Sequence, residues 1–344
     1  MKNTDSDRDK PEYKHFPLIY VIVFHTIIIG ITIWLIKPPF IFRNTNSANS
    51  VPAVSNFTHL KIIRDTDYQF IKPLRLVDID KESTSLKPLK DKVNLIINEK
   101  EKAGLISVAS VYLKELDNGR WMSINGDEKF RAGSINKISI LIYYLKRAEL
   151  EPGILTRELV FTKKMGVLTH ETFTDRTIEP GKKYTIRELL TRMIQYSDNV
   201  ATNILIRNFE NAQAYQKIFT DLGLSKPDQS DNNYSLNAQD ISRFLRVLYN
   251  STYLTPEYSE WALEILSKST FKEGIIKQLP NNLKVAHKFG ESGDNDQPQL
   301  SETGIIYYDD NTYLLTIMTK GTNVQQEAEA ISDISKNIYE GMTH

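Results

Sequence analysis

The chain has 344 residues, with 43 Lys plus Arg set against 43 Asp plus Glu, and no cysteine. That length supports one large domain or two small ones around a sizeable core. Balanced charge supplies no overall field toward nucleic acid or acidic surfaces, so no nucleic-acid partner is implied. The missing thiols exclude cysteine catalysis, disulfides and thiolate metal sites. They leave an extracytoplasmic location open, because a large core needs no disulfide staples.

Residues 16–36, "FPLIYVIVFHTIIIGITIWLI", form an apolar run of 21 residues whose one candidate charge is His25. As a helix the run spans a hydrocarbon core of roughly 30 Å, and Trp34 suits its interface. It is longer than the apolar region of a signal peptide, and the following "KPPFIFRN" offers no small-residue cleavage site. Lys2, Arg8, Lys10 and Lys14 precede it, a bias that places the N-terminus in the cytoplasm. The expectation is a cytoplasmic tail at 1–15, a single-pass transmembrane anchor at 16–36, and the rest of the chain outside the cytoplasm. In the linker and N-terminal segment, 37–85, "NTNSANSVPAVSN" is small, polar and aperiodic, as a tether is. Residues 57–83 mix apolar and charged side chains without a clear period.

From Leu86 to His344 the patterning is that of a folded domain. "LKDKVNLIINEKEK" puts Val93, Ile96 and Ile97 on one helical face, ended by Gly104. "ISVASVYLKEL" alternates as a strand, and "DNG" at 117–119 turns it into "RWMSING". A block of helical segments follows. The chain then returns to strands in "NLKVAHKFGE", "SETGIIYYDD" and "NTYLLTIMTKG", with a closing helix near 325–339. Two strands, a helical block and three strands do not make the alternation of a parallel sheet. The pattern predicts a mixed α/β fold: a five-stranded antiparallel sheet drawn from both chain ends, covered by helices, plus a helical lobe.

Three short motifs carry the chemistry. In "FRAGSINKISIL", Ser134 and Lys137 stand at i and i+3 of a helix start and share a face. Chance alone supplies roughly two Ser-x-x-Lys matches in such a chain. What singles this one out is its place after a strand and its lysine among apolar residues, where a partly desolvated amine could take the serine proton. The second match, Ser269 to Lys272 in "LSKSTFKEG", has polar flanks and reads as a capped turn. "QYSDNVATNILI" sets Ser197, Asp198 and Asn199 before an apolar helix, and "VAHKFGESG" sets Lys288 and Gly290 in a late strand. A second Ser-Asp-Asn, 230–232, sits in a polar loop. His170 and Glu171 have no ligand partner at useful spacing and read as surface loop. His287 reads as structural, and Tyr196 as lining a cleft.

Ser-x-x-Lys, Ser-Asp-Asn and Lys-x-Gly in this order resemble the class A β-lactamases and related penicillin-binding enzymes. The resemblance runs from about Leu86 to the C-terminus. It implies Ser134 as the acylated nucleophile, Lys137 as its general base and Ser197 as proton donor to the leaving nitrogen. Asn199 would bind the substrate's amide carbonyl, while Lys288 would hold Ser197 and attract the substrate carboxylate. The oxyanion hole would come from the backbone N–H groups of Ser134 and Glu291, the residue after Gly290. No metal or organic cofactor is implied.

Two departures stand out. Phe289 replaces the family's Thr or Ser after Lys288, leaving Ser292 as the nearest substitute hydroxyl. The loop Glu that cleaves the acyl-enzyme is also absent from "GLSKPDQSDNNYSLNAQDISRFL", where Asp228 and Asp231 are the candidate stand-ins. The implied activity is an anchored serine hydrolase or transferase, acting on β-lactams or peptidoglycan D-alanyl peptides and slow to deacylate. The alternative is a β-lactam or muropeptide sensor acylated once, for which the 15 residues before the span are too few to fold a signalling domain.

Overall fold

A computed structural model describes residues 60–65, 67–162, 172–173, 175, 177–227, 234–294, 296–308 and 311–343. The proposed span at 16–36 lies outside them, and among the described residues no helix is long and apolar enough to cross a membrane. His170, Glu171, Asp228, Ser230 and Asp231 also lie outside.

The segment without a readable period is a hairpin, β1 (Leu60–Arg64) and β2 (Leu74–Ile79), with Ile62 opposite Val77. Its inner face carries Leu76 and Asp78 against the domain, while Leu60, Ile62 and Val77 face out. Because both faces hold apolar residues, the two-residue alternation that marks a strand is blurred. Helix α1 (Lys87–Lys102) starts on Pro88 and buries Leu89, Val93 and Ile97. Gly104, at φ 71°, supplies the left-handed residue just beyond its end.

The chain then makes β3 (Val108–Glu115), β4 (Trp121–Ile124), the short β5 (Phe130–Arg131) and helix α2 (Lys137–Leu150). Next come β6 (Glu158–Val160), β7 (Lys183–Thr185) and helices α3 (Ile186–Gln195), α4 (Asn199–Arg207) and α5 (Ala212–Asp221). Strand β8 (Ser235–Leu236) pairs with β5 and leads into α6 (Ala238–Tyr249) and α7 (Pro256–Ser267). The chain closes with β9 (Lys284–Asp294), β10 (Gln297–Tyr307), β11 (Tyr313–Lys320) and α8 (Val324–Thr343).

The main sheet has the order β4-β3-β11-β10-β9, antiparallel throughout, so the early and late strands join where β3 pairs with β11. This is the architecture the pattern predicts. Strand β3 differs from the expectation in one respect: apart from Val108 it is buried on both faces. Val111 and Leu113 pack with α1 and α8, while Tyr112 packs with the helical lobe. Helix α2 runs through the middle of that lobe, with Ile138, Leu141, Ile142, Tyr143, Tyr144 and Leu145 all buried. Each such side chain contributes about 1.5–3 kcal/mol on full burial. A helix held this firmly gives its first turn a fixed position.

Glu327, in the first turn of α8, is fully buried, and its Oε2 accepts from Leu300 N–H (2.7 Å) and Thr319 Oγ1 (3.2 Å). Burial pushes its carboxyl from 4.5 up to about 7, with the charge of Glu291 adding to the rise and the two hydrogen bonds opposing it. Between those values the folded chain binds more protons than the unfolded one, so stability must fall as pH rises from about 4.5 to 7. At roughly 1.36 kcal/mol per unit the loss approaches about 3 kcal/mol. Urea midpoints should show that decline in the wild type, and Glu327→Gln should flatten it. An unchanged slope in the variant would assign the decline to other groups.

Candidate active site

Strand β9 is the edge of the sheet, and its outer side is met by the 3₁₀ turn Gly133–Asn136, which carries Ser134 into α2. Two glycines make that approach possible. A Cβ on Gly133 would sit 2.5 Å from the Glu291 carbonyl oxygen, and one on Gly290 would sit 2.7 Å from Ile135 N and 2.8 Å from Ala132 O. Gly133 also has φ 50°, where a side chain is disfavoured. Ser292 Oγ donates to Arg131 O at 3.0 Å, so the hydroxyl considered as a substitute is engaged in tying β9 to β5.

Ser134 and Lys137 are both buried. The turn before Lys137 is 3₁₀ rather than α, which brings side chains at i and i+3 into an eclipsed position. Lys137 Nζ donates to Ser197 O (2.7 Å), Ser197 Oγ (2.9 Å) and Asn199 Oδ1 (2.7 Å). From the opposite side Lys288, fully buried on β9, donates to the same Ser197 Oγ (2.9 Å) and to Phe289 O (2.9 Å). The Ser-x-x-Lys turn, the Ser-Asp-Asn junction and the Lys-x-Gly strand are thus brought to one place. The second Ser-x-x-Lys is elsewhere: Ser269 is buried and caps its own turn, its Oγ accepting from Phe271 N–H.

Ser197 lies between α3 and α4 at φ 53°, an unusual conformation for a residue with a side chain. Asp198 holds it there. Its Oδ1 caps α4 through Val200 N–H (2.7 Å) and Ala201 N–H (2.9 Å), and its Oδ2 accepts from Thr177 Oγ1 (2.9 Å). The middle residue of the tripeptide is therefore a positioning residue, a role the sequence reading left unassigned. An Asp just before an apolar helix is an N-cap signature and could have revealed it. Tyr196 is half-buried and caps the C-terminus of α3.

The substitution of Phe289 has a packing explanation. Its ring is buried, stacks on Phe271 (centroids 4.2 Å apart) and meets Phe173 edge-on at 6.2 Å. The same ring lies 4.0 Å from Lys288 Nζ, an aromatic face where a hydroxyl was anticipated. The Glu291 carboxylate accepts from Thr172 N–H (2.7 Å) and Thr172 Oγ1 (2.9 Å), a side-chain contact beyond the backbone role foreseen for that residue. His287 is structural: its Nδ1 meets Glu302 Oε1 at 2.6 Å, and Glu302 Oε2 accepts from Ile275 N–H. Among the described residues no cluster of three potential ligands could hold a metal ion.

Residues 88–342 match the model of a family described as the β-lactamase enzyme family. The chain is similar to a β-lactamase of Citrobacter koseri, 24% identical over 276 residues and covering 75% of this chain and 90% of that protein. It is also similar to β-lactamase VEB-1 of Pseudomonas aeruginosa, 26% identical over 265 residues, covering 69% and 85%. Among solved structures, PBP-A aligns at a TM-score of 0.64 with 20% identity, over 75% of this chain and 97% of that one. A β-lactamase from Chitinophaga pinensis aligns at 0.64 with 21% identity, over 74% and 99%.

The glycine pair yields a test of the geometry. Gly290→Ala should push the Ser134 turn off β9 and lower acylation by roughly 100-fold, the scale of an ångström misplacement. Intact-mass kinetics with a penicillin measures this. Near-normal labelling would show that the turn tolerates the displacement.

Proposed function

The chain belongs to the β-lactamase enzyme family and is a hydrolase of that type, and from that premise we propose that β-lactams or D-alanyl cell-wall peptides acylate it at Ser134. In this reading Lys137 enters as the neutral amine, and Ser134 Oγ attacks the carbonyl carbon while its proton passes to Lys137 Nζ. The scissile C–N bond breaks, the leaving nitrogen takes the Ser197 hydroxyl proton, and Lys137 returns a proton to Ser197 Oγ. The backbone N–H groups of Ser134 and Glu291 receive the oxyanion, where one donor is typically worth around 3 kcal/mol. Asn199 meets the substrate amide, and Lys288 attracts its carboxylate.

One observation carries the reading. Ser197 Oγ accepts hydrogen bonds from two lysine amino groups at 2.9 Å each. A hydroxyl has two lone pairs and one O–H. With both lone pairs occupied, the O–H is left for a third acceptor, the role of a leaving nitrogen. Lys137, bonded to that hydroxyl, completes a path for the proton taken from Ser134.

Deacylation needs separate equipment, a base on a water beside the ester. The stretch 222–245 contains no Glu, and general-base assistance contributes about 10²–10⁴-fold. The acyl-enzyme therefore persists, and the protein acts more as a penicillin-binding enzyme than as a rapid β-lactamase. We place it outside the cytoplasm on the anchor at residues 16–36.

Penicillin mixed with the full chain should give a mass increase of one equivalent that decays slowly. Ser134→Ala should abolish the adduct, Ser269→Ala should leave it unchanged, and Lys137→Ala should slow its formation by roughly 100-fold or more. Fast hydrolysis with no detectable adduct would refute slow deacylation, and labelling that survives loss of Ser134 would refute the nucleophile. For topology, protease added to intact cells should release a fragment close in size to residues 57–344. Release only after lysis would reverse the orientation.

A further inference from the structure

A cavity of about 310 Å³, lined by none of the residues proposed for catalysis, runs between β2, β3 and α6. Its lining includes Arg75, Lys114 and Arg246 and no acidic residue. The apolar part of the wall includes Leu74, Val77 and Leu116, and Leu74 and Val77 are 41% and 37% exposed at the hairpin surface.

The cations are not equally satisfied. Arg246 is ion-paired to Asp78 (Nη1 to Oδ1, 2.6 Å) and donates to Val77 O (3.0 Å), while its Nε has no partner. Arg75 is paired to Asp65 (2.5 Å) and donates to Thr252 O, and its Nε is likewise buried without a partner. Lys114 is buried on β3, on the face it shares with Val108, Ser110 and Tyr112. Its ammonium makes a single long hydrogen bond, to Gly119 O at 3.3 Å, and no carboxylate of the described residues lies within 4.0 Å. Three cations thus line the cavity against two paired carboxylates, Asp65 and Asp78, and the charge left unmatched is Lys114. A buried charge left unpaired is strongly destabilising, and an anion bound beside it removes that cost.

We propose that this cavity binds the anionic head of a single-chain amphiphile, a carboxylate or phosphate ester, with the head on Lys114 and Arg246 and the aliphatic body against Leu74, Val77 and Leu116. The volume lies at the lower end of small-molecule sites, roughly 300–1,000 Å³, which suits one chain rather than a bulky ring system. The apolar surface continues past the mouth: Leu60, Ile62 and Phe70 of the same hairpin are exposed. A ligand that was only a small inorganic anion would leave this side uncovered.

The site has a pH signature with a defined sign. Burial, and then the like charge of Arg246, depress the Lys114 amine to about 8, with Asp78 opposing. The other groups facing it are Arg75, Arg246 and Asp78, together with Tyr112 on its own strand, which burial pushes up to about 12. Anion binding favours the protonated amine, so affinity should be full below about pH 8 and decline as pH rises beyond it.

The experiment uses the full chain in a non-ionic detergent and reads the thermal midpoint against added decanoate, decanol and acetate. Decanoate should raise the midpoint saturably at pH 7 and at least tenfold more weakly at pH 9.5. Decanol should have no saturable effect, and acetate should need at least tenfold higher concentration. Lys114→Met should weaken the decanoate response at least tenfold while leaving penicillin acylation at Ser134 unchanged, which separates this site from the catalytic reading. An equal response of wild type and variant, or an equal effect of decanol, would overturn the proposal. Acetate acting as well as decanoate would overturn the role of the apolar wall. Displacement of decanoate by phosphatidylglycerol in the same micelles would identify a membrane lipid as the source, and its absence a free acid; with Lys114-dependent binding, each supports the site.

Discussion

Two buried lysine amino groups, one from the central helix of the lobe and one from the sheet edge, meet at the hydroxyl of Ser197. Taking a polar amino group out of water without hydrogen-bond partners costs free energy. What offsets this is a set of acceptors from separate elements: the Ser197 carbonyl, the Asn199 amide oxygen and the Phe289 carbonyl. None exists as a group until α2, the α3–α4 junction and β9 have docked. Ser197 itself sits at φ 53°, a conformation costing on the order of 1–3 kcal/mol for such a residue, and the Asp198 cap holds it there.

The sheet edge shapes the rest of the site. Gly133 and Gly290 let two backbones touch where any side chain would separate them, so the Ser134 turn is registered against the strand by contact rather than by flexible side chains. Phe289 faces away into a cluster with Phe271 and Phe173. That packing seats the strand, and it puts an aromatic face 4.0 Å from Lys288 Nζ.

Elsewhere among the described residues buried charge is handled by pairing, as between Arg246 and Asp78 and between Arg75 and Asp65. Glu327 and Lys114 depart from that pattern. Among the described residues no cation lies within ion-pair distance of Glu327, which shifts its titration upward, and no carboxylate within that distance of Lys114, which shifts downward. Both shifts are the expected response to desolvation of a charge without a partner. Lys114 lines a cavity, so a ligand, rather than proton binding alone, can complete it.

Most of the fold was legible in the sequence because its elements are strongly periodic: the five strands, the opening and closing helices and the lobe follow from apolar spacing. The site was legible as three short motifs, since chemistry needs those side chains at those spacings. The hairpin at Leu60–Ile79 was not, because apolar residues on both faces erase the period that marks a strand. The positioning role of Asp198 went unread although its cap signature was present, because the same tripeptide also offered a chemical meaning. The seat of Phe289, the contact of Thr172 with Glu291 and the crowding of cations around Lys114 had no local signature at all. Residues from separate elements make them, Thr172 and Glu291 being 119 positions apart, and linear spacing carries no record of which distant groups will share a dielectric. The sequence by itself therefore determined which elements form and which side chains could react. Only the tertiary structure decided which charges would be paired, because pairing depends on distances that exist only after the chain has folded.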